Sequence, residues 1–457
     1  MVESLHQKSN ALLLGLDLGT TALKGIVMDA QGREMACAER PTAYRHPREG
    51  WVEADAIALR DQVFDLIRQL ASEAPGSVRA LAFAAASGNT LLCDADGTPL
   101  TPIINWMDRR VEQDPPAALR EMDEQDVRRI VGWPCVTSFP LAHLAWLREH
   151  EPERYRRAGH VCMNTDWLLH QLTGLWRMDH STATTFHLQN QVAGRYHQPF
   201  LDRLEIPEAK LSRLIGSGVA VGTLTPEAAR QTGLSPAAQV VAGCFDHPSA
   251  ARATGVLEPG RLLLSCGTSW VGFFPDADRQ RLVDAELLCD PFLSERGGPW
   301  AGMFSVAQIG RTINAYVLDF IAPGAPDPFR VFDEAAAAGT TRLTIDLRAP
   351  VQAPAGASRE ELARAVMESS ARLLNEKLDD QRANGFEFRE AVLVGGPSKS
   401  PVWPGIIERA TGLRLKLGSS HSGARGAAIL AGVGVGIYRS EQDAFTQIET
   451  ANEYRRP

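Results

Sequence analysis

Short apolar runs separated by polar turns mark the N-terminal part of the chain. The runs at residues 12–18, 23–29 and 34–40 predict three strands in a meander, with "GTT" and "AQG" as the turns. Residues 55–72 carry apolar side chains at the spacing of one helix face, and the run at 78–85 predicts a buried strand. The pattern therefore predicts a meander followed by a helix and a further strand.

The same order of elements returns past the middle of the chain. The stretch "RLLLSCGTSWVGFF" predicts a strand, a Gly-Thr-Ser turn and a strand, and a helical segment follows at 305–320. A long helix is predicted at 358–384, because Ser358 and Glu361 have the spacing of a capping box and Gly385 is a typical helix stop. "AVLVGG" predicts a strand that ends in glycines, and "HSGARGAAILAGVGVG" predicts a small-residue helix that can pack closely.

This repetition predicts an α/β fold of two related lobes with a cleft between them. We place the boundary within residues 240–250, which gives an N-terminal lobe of residues 1–245 and a C-terminal lobe of residues 246–457. With 457 residues, of which 44% are hydrophobic, the chain has enough apolar mass for more than one core.

The net charge, the length of the apolar runs and the spacing of the cysteines limit which classes of protein the chain can belong to. A formal net charge of −8 gives no reason to expect nucleic acid as a partner. The apolar run at 11–16 is too short for a membrane span or the core of a signal peptide, so we expect no membrane partner. The seven cysteines are scattered and form no CxxC pair, which is typical of free thiols in a reducing cytoplasm.

Asp17 stands inside the first apolar run, where a charged carboxylate is costly. The Gly-Thr-Thr turn that follows offers backbone N–H groups and two hydroxyls, which suit phosphate oxygens. A carboxylate beside such a turn can hold Mg²⁺ through water. A single turn of this kind is usually only a tight turn, but a second one, "CGTS" at 266–269, follows an apolar strand in the other half. The pair favours a site that binds a nucleotide triphosphate.

Several longer motifs make the chain similar to a known family. "LGLDLGTTALKGIVMDAQG", "GWVEADA", "PIINWMDRR", "TDWLLHQLTGLWRMDHSTA", "VVAGCFDHPSAARATG", "LLLSCGTS" and "VLVGGPSKSPVW" occur in the order seen in FGGY carbohydrate kinases, xylulokinases among them. The resemblance covers nearly the whole chain. It implies two RNase H-like lobes, as in actin, hexokinase and the Hsp70 ATPase, that close over ATP and a sugar or polyol. It also implies Mg²⁺-dependent transfer of a phosphoryl group.

The resemblance places the general base at Asp246, in "GCFDHPSAA". Phosphoryl transfer depends mostly on positioning and charge stabilisation, with one carboxylate to orient and deprotonate the attacking hydroxyl. The alternative is that Asp246 caps the helix that "DHPSAARATG" predicts. Both roles are compatible.

The resemblance also implies a nucleotide site. Asp17 would hold Mg²⁺ through water. The residues expected near the phosphates are Thr20, Thr21, Lys24, Gly267, Thr268 and Ser269, and those expected at adenine and ribose are Gly395, Gly396 and Ser400. Gly310 is expected against the nucleotide, with a helix-packing glycine as the alternative, and the alternative for Lys24 is a solvated strand residue.

The sugar site is predicted from the W-x-D-x-R region, where we single out Trp106, Asp108 and Arg109. An aromatic ring can cover the apolar face of a sugar while charged groups bind its hydroxyls. The alternatives are a core tryptophan and a surface ion pair between Asp108 and Arg109. Ser87 stands in the loop where xylulokinases carry Gln-Met-His-Gly and glycerol kinases Arg-Glu, and neither pattern is present.

Further departures from the family leave the substrate open and disfavour glycerol. His247 follows the expected base where xylulokinases tend to have Asn and glycerol kinases Gln; it is expected to bind a substrate hydroxyl or to act as a local cap. The chain lacks the Gly-Glu-Arg-x-Pro segment expected ahead of the long helix. The leading hypothesis is an ATP-dependent kinase for a ketose such as xylulose, or for a polyol. A non-catalytic nucleotide- or sugar-binding protein of the same fold, such as a sensor or an actin-like assembly subunit, is the alternative, and a homodimer is allowed.

Overall fold

The computed structural model describes residues 11–86, 88–120 and 122–453. Contacts divide the chain into two compact units: the first comprises residues 1–255, 288–297 and 421–457, and the second comprises residues 256–287 and 298–420. No helix within the described residues is long and apolar enough to cross a membrane.

The elements alternate between strands and helices along the whole chain. The strands are β1 (Leu12–Leu18), β2 (Ala22–Asp29), β3 (Glu34–Pro41), β4 (Glu53–Ala54), β5 (Val78–Ala85), β6 (Leu91–Cys93), β7 (Ile103–Ile104), β8 (His160–Cys162), β9 (Arg177–Asp179), β10 (Gln189–Asn190), β11 (Arg195–Tyr196), β12 (Arg213–Ile215), β13 (Ala220–Thr223), β14 (Gln239–Phe245), β15 (Arg261–Cys266), β16 (Trp270–Asp276), β17 (Leu288–Asp290), β18 (Trp300–Val306), β19 (Glu390–Gly395) and β20 (Arg414–Leu417). The helices are α1 (Ala56–Glu73), α2 (Arg110–Gln113), α3 (Ala117–Arg120), α4 (Glu124–Val131), α5 (Pro140–His150), α6 (Pro152–Arg157), α7 (Asn164–Thr173), α8 (His180–Phe186), α9 (Gln198–Leu204), α10 (Pro226–Thr232), α11 (Asp246–Thr254), α12 (Arg279–Asp284), α13 (Ile309–Tyr316), α14 (Pro328–Ala338), α15 (Arg359–Ala383), α16 (Trp403–Thr411), α17 (Ser422–Gly434) and α18 (Glu441–Glu453).

The first unit is built on a six-stranded sheet with the order β13-β14-β5-β1-β2-β3. Strands β1, β2 and β3 form the predicted antiparallel meander, and β5 runs parallel to both β1 and β14. Because β1 is buried on both faces, it is an almost continuous apolar run. Leu14 and Leu16 pack into the core that contains the apolar face of α1, and Leu13 packs with the alanines of α17 on the opposite face.

Small residues allow α17 to pack closely within the first unit. A Cβ atom at Gly15 of β1 would lie 1.8 Å from the carbonyl oxygen of Ala424, and one at Gly426 would lie 1.8 Å from that of Ser249. The predicted close-packing helix is confirmed. It belongs to the first unit, however, although it comes late in the sequence.

The second unit repeats the strand–turn–strand arrangement. Within it the strand order is β18-β16-β15-β19-β20, with β15 antiparallel to β16 and parallel to β19. The predicted long helix is α15, and its N-terminal residue is capped by Ser358 Oγ, which accepts the N–H of Glu361 at 3.1 Å. The predicted helix at 305–320 was wrong at its start, because residues 300–306 form strand β18 beside β16.

The division of the chain differs from the predicted boundaries. The first unit continues to residue 255 and also contains residues 288–297 and 421–457, whereas the boundary predicted at residues 245/246 assigns these segments to the C-terminal lobe. Contacts between segments far apart in sequence produce this division, and composition carries no signal of them.

Candidate active site

The Gly-Thr-Thr turn of the first unit is held from two sides. Thr42 Oγ1 donates to the carbonyl of Gly19 at 3.0 Å, and the N–H of Thr42 donates to the carbonyl of Thr21 at 3.0 Å. Trp106 Nε1 donates to Thr20 Oγ1 at 3.1 Å. The structure therefore brings together the expected phosphate turn and the expected sugar-covering tryptophan, a residue that is 37% exposed.

Asp17 lies one residue before the end of β1, opposite Lys24 of β2. Its Oδ1 atom is buried and has no hydrogen-bond partner among the residues that the structure describes. Burial and, to a lesser degree, the charge of Asp246 raise the pKa of Asp17 to about 7, while Lys24 acts in the opposite direction. A Cβ atom at Gly423 would lie 2.4 Å from Asp17 Oδ2, so a glycine is needed where the start of α17 meets this carboxylate.

Asp246 is the first residue of α11, directly after β14. Its Oδ1 accepts the N–H of His247 at 2.7 Å, and the side chain is 27% exposed. Phe245, and not Asp246, occupies the N-cap position, so the helix-cap alternative for this carboxylate was wrong. The ring of His247 lies beside it, with Nε2 3.8 Å from Asp246 Oδ1.

The two aspartates share one edge of the sheet. Strands β1, β5 and β14 are parallel neighbours, and their carboxyl ends meet at the edge where α/β sheets bind ligands. Asp17 and Asp246 stand at the ends of β1 and β14, two strand spacings or about 10 Å apart across the sheet. An unpartnered carboxylate oxygen, a second carboxylate and a helix N-terminus at this edge fit a hydrated divalent cation that also contacts phosphate.

The W-x-D-x-R region needs a correction. Arg109 is exposed and pairs with Glu112 at 2.8 Å, whereas the arginine bound to Asp108 is Arg110. Arg110 Nε and Nη2 donate to the two oxygens of Asp108, each at 2.9 Å, and the guanidinium stacks on Trp51. The spacing counted from Trp106 already places the motif's arginine at position 110, so the sequence contained this signal.

Asp108 is fully buried and its carboxylate is occupied by protein donors. Besides Arg110, the backbone N–H of Val52 donates to its Oδ2 at 2.7 Å. These contacts support a structural role for Asp108 in fixing the loop that carries Trp106.

The loop expected to face the sugar is described only in part. Ser87 lies outside the described residues. Gly88 has φ +91°, and a Cβ atom there would lie 2.8 Å from the ring of Phe139. Phe139 packs on Trp133, which contacts Phe245, the residue before Asp246. The surroundings of Gly88 and Phe245 are therefore aromatic rather than charged.

The second unit contains the other expected phosphate turn. Gly267 N–H donates to the carbonyl of Ser269 at 3.1 Å, and Ser269 Oγ accepts the N–H of Gln308 at 3.0 Å. Gly310 N–H donates to the carbonyl of Thr268 at 3.0 Å, and a Cβ at Gly310 would lie 2.0 Å from the Gly267 carbonyl oxygen. Gly310 is thus a packing glycine of α13 that supports the turn.

The expected adenine and ribose residues follow β19. Gly395 has φ +96° and packs on Cys266, because a Cβ there would lie 2.2 Å from its carbonyl oxygen. A Cβ at Gly396 would meet no further atom of the described residues within 4 Å. Ser400 Oγ donates to Asp333 at 2.6 Å and accepts the N–H groups of Val402 and Trp403, so this hydroxyl holds the start of α16.

A separate group of metal-type ligands lies on the first unit. Single ligand atoms of Glu34, Cys37 and His421 lie within 4.8 Å of one another. Arg425 Nη2 already binds Glu34 at 3.0 Å, and this cation compensates the carboxylate. We assign no metal to this group.

Comparisons with known proteins bear on the family and the fold of the chain. The family described as "FGGY family of carbohydrate kinases, N-terminal domain" matches residues 12–252. The chain is 28% identical to L-xylulose/3-keto-L-gulonate kinase of Escherichia coli (strain K12), over 94% of this chain and 90% of the relative. It is 26% identical to autoinducer-2 kinase of Salmonella choleraesuis (strain SC-B67), over 95% and 88% respectively.

A solved structure shows the same fold. The crystal structure of xylulose kinase from Rhodospirillum rubrum matches with a TM-score of 0.82 at 24% identity, covering 97% of this chain and 96% of that one. The predicted fold class, the two-lobed α/β fold of the actin and hexokinase type, is confirmed.

Proposed function

The chain belongs to the FGGY family of carbohydrate kinases and is a sugar kinase, and from this premise we propose that it transfers the γ-phosphoryl group of ATP to a hydroxyl of a small ketose such as xylulose. Relatives named for L-xylulose and xylulose support a ketose as the substrate. A polyol is the alternative substrate. The absence of the Arg-Glu pair of glycerol kinases disfavours glycerol.

Asp246 is the proposed general base. It is the partly exposed carboxylate at the start of α11, and the second carboxylate at the same sheet edge, Asp17, lies close enough for its pKa to respond to it. This pair is the observation that carries the proposal. A base within reach of the attacking hydroxyl removes its proton as the bond to phosphorus forms. A pure sensor needs no such group, so Asp246 favours the enzyme over the non-catalytic alternative.

Asp17 is the proposed anchor for Mg²⁺, through water. Among the described residues its Oδ1 has no hydrogen-bond partner, and burial outweighs the effect of Lys24 and raises the pKa of Asp17, which supports a need for further positive charge at this carboxylate. When bound there, Mg²⁺ would neutralise part of the negative charge of the phosphates. The chain's own contribution is the close approach of Gly423, at the start of α17, which leaves room for this carboxylate because it has no Cβ.

The two turns, Trp106 and His247 are proposed to bind ATP and the sugar. We propose that the backbone of the two turns and the hydroxyls of Thr20, Thr21, Thr268 and Ser269 bind phosphate oxygens. Trp106 would cover the apolar face of the sugar, since its ring is exposed while Nε1 is fixed on Thr20. We propose that His247, beside the base, binds a substrate hydroxyl.

Replacement of the base tests the proposal. We expect Asp246→Asn to lower kcat on a verified substrate by about a hundredfold or more, because an amide cannot accept the proton. Nucleotide affinity, measured by titration of a fluorescent ATP analogue, should not change. Asp65→Asn, an exposed aspartate on α1, is the matched control and should retain full activity. Turnover near that of the wild type in Asp246→Asn would exclude Asp246 as the base.

A further inference from the structure

A buried hydrogen-bond chain ends at the residue before Asp246. The N–H of Phe245 donates to Ser181 Oγ at 3.2 Å, and Ser181 Oγ donates to Asp290 Oδ2 at 2.7 Å. The other oxygen of Asp290 accepts the N–H of Phe292 at 2.8 Å. Ser181 and Asp290 are each only 1% exposed. The chain is therefore shielded from water along its length.

Asp290 reaches this position through an unusual path of the backbone. Residues 288–297 belong to the first unit, although the segments directly before and after them belong to the second. Arg252 of α11 holds the inserted segment, since its Nη2 donates to the carbonyl of Phe292 at 3.0 Å and its guanidinium stacks on the Phe292 ring. Helix α11 is thus bound to the same short segment at its start, through Ser181, and near its end.

The direction of each hydrogen bond gives the chain a fixed geometry. A hydroxyl has one proton to donate and two lone pairs to accept with. Because Asp290 accepts the Ser181 proton, a lone pair of Ser181 is left to face the Phe245 N–H. That N–H lies where β14 ends and α11 begins, and a buried N–H without an acceptor is destabilising. The acceptor, Ser181 Oγ, therefore fixes the position of the junction between β14 and α11.

We propose that Asp290 and Ser181 are positioning residues for Asp246: through the Phe245 N–H they fix the strand-to-helix corner from which the base projects. The proposal rests on Asp246 being the base, as argued above. Neither residue has to touch substrate. A shift of about 1 Å in a reacting group can cost about a hundredfold in rate, so loss of the chain should lower kcat without altering nucleotide binding.

Two variants break the chain and one restores it. Ser181→Ala removes both hydrogen bonds, and Asp290→Asn keeps the shape but places an amide donor or a weaker acceptor opposite the Ser181 hydroxyl. Ser181→Thr keeps the hydroxyl and serves as the rescue. If Ser181→Ala does not fold, the nearly isosteric Asp290→Asn carries the test by itself.

The first unit offers a matched control of the same chemistry. Ser212 Oγ donates to Asp166 Oδ2 at 2.6 Å, and this serine and aspartate are also buried. Asp166 accepts the N–H of Met163 at the start of α7, so this pair holds a helix start other than α11. Ser212→Ala and Asp166→Asn should cost stability of similar size and should leave kcat close to that of the wild type.

The measurements are kcat and KM for the sugar and for ATP, with the melting temperature of each variant. We expect kcat to fall about ten- to a hundredfold in Ser181→Ala and Asp290→Asn, with KM for ATP unchanged and recovery in Ser181→Thr. A kcat within about twofold of the wild type, or an equal fall in the Ser212 and Asp166 variants, would overturn the positioning role. Asp246→Asn in the same series separates the two proposals. An active Asp246→Asn variant would exclude Asp246 as the base. An inactive Asp246→Asn variant beside an active Ser181→Ala variant would exclude only the positioning role.

Discussion

Asp17 illustrates how much a single residue in a pattern can indicate. A carboxylate near the end of an apolar strand is costly unless it is compensated, and within the described part of the chain Asp17 Oδ1 has no hydrogen-bond partner. The same residue has the pKa shift expected of a buried carboxylate beside another one. A charge-compensating ligand is the explanation that both the sequence and the structure favour.

Replacement of this carboxylate tests that explanation. We expect Asp17→Ala to slow phosphoryl transfer and to raise the Mg²⁺ concentration needed for half-maximal rate by about tenfold or more, since ligand-sphere changes commonly cost 10- to 100-fold in metal affinity. The measurement is the initial rate as a function of free Mg²⁺ at saturating ATP. Asp29→Ala is not a suitable control, because Asp29 holds the turn after β2; Asp61→Ala, on the exposed side of α1, is suitable. Overlapping titration curves for Asp17→Ala and the wild type would make Asp17 a purely structural residue.

At the scale of single residues, motif position predicted more than side-chain chemistry did. Asp246 was found at a helix start, as the pattern "DHPSAARATG" indicated, but the bonding of its carboxylate required coordinates. Asp108 and Ser400 were expected to face ligands, and both have their polar atoms bound within the protein. A sequence shows which side chains carry oxygen atoms. It does not show which of those atoms already accept hydrogen bonds from buried donors of the protein.

Strand–turn–strand units are the elements on which the site depends, and periodicity predicted them well. Strands β1, β2, β5, β15 and β16 were each expected from apolar runs bounded by turn residues. Helix α13 was less predictable, because the apolar residues of β18 directly before it continue into the helical pattern. The helix begins only at residue 309, because the residues of β18 before it pair with β16. No local sequence pattern indicates this pairing.

Gly310 offers a test at this scale. A methyl group at Gly310 would overlap the carbonyl of Gly267, so Gly310→Ala should displace the second phosphate turn. We expect KM for ATP to rise about tenfold or more, by the sensitivity of rate and binding to displacements near 1 Å. The overpacking should also lower the unfolding free energy by about 1–3 kcal/mol.

The matched control is Gly405→Ala in α16 of the same unit. The nearest atom that a Cβ at Gly405 would meet is Arg409 Nη1, at 3.4 Å, the end of a flexible side chain. This variant should keep the KM for ATP of the wild type. A Gly310→Ala enzyme with unchanged KM for ATP would show that the turn does not contact the triphosphate.

At the scale of the whole molecule, the two units are interleaved along the chain. The chain passes between the units at residues 255/256, 287/288, 297/298 and 420/421. Thr20 and Thr21 belong to the first unit, and Gly267 to Ser269 belong to the second. Two related lobes were predictable from the repeated order of elements. The assignment of residues 288–297, which include Asp290, to the first unit was not predictable from the sequence. This segment is not part of the repeated order of elements, and its composition does not set it apart.

The central claim is that this chain is a kinase that phosphorylates a small sugar and does not merely bind one. The most direct measurement is ATP consumption, with mass detection of the phosphorylated product, across a panel of ketoses, polyols and sugar acids at saturating Mg²⁺. The account predicts that at least one ketose raises ATP consumption at least tenfold above the rate in water alone, with one sugar phosphate formed for each ATP consumed. ATP binding with no sugar-dependent turnover for any member of the panel would contradict the account and favour a non-catalytic sensor.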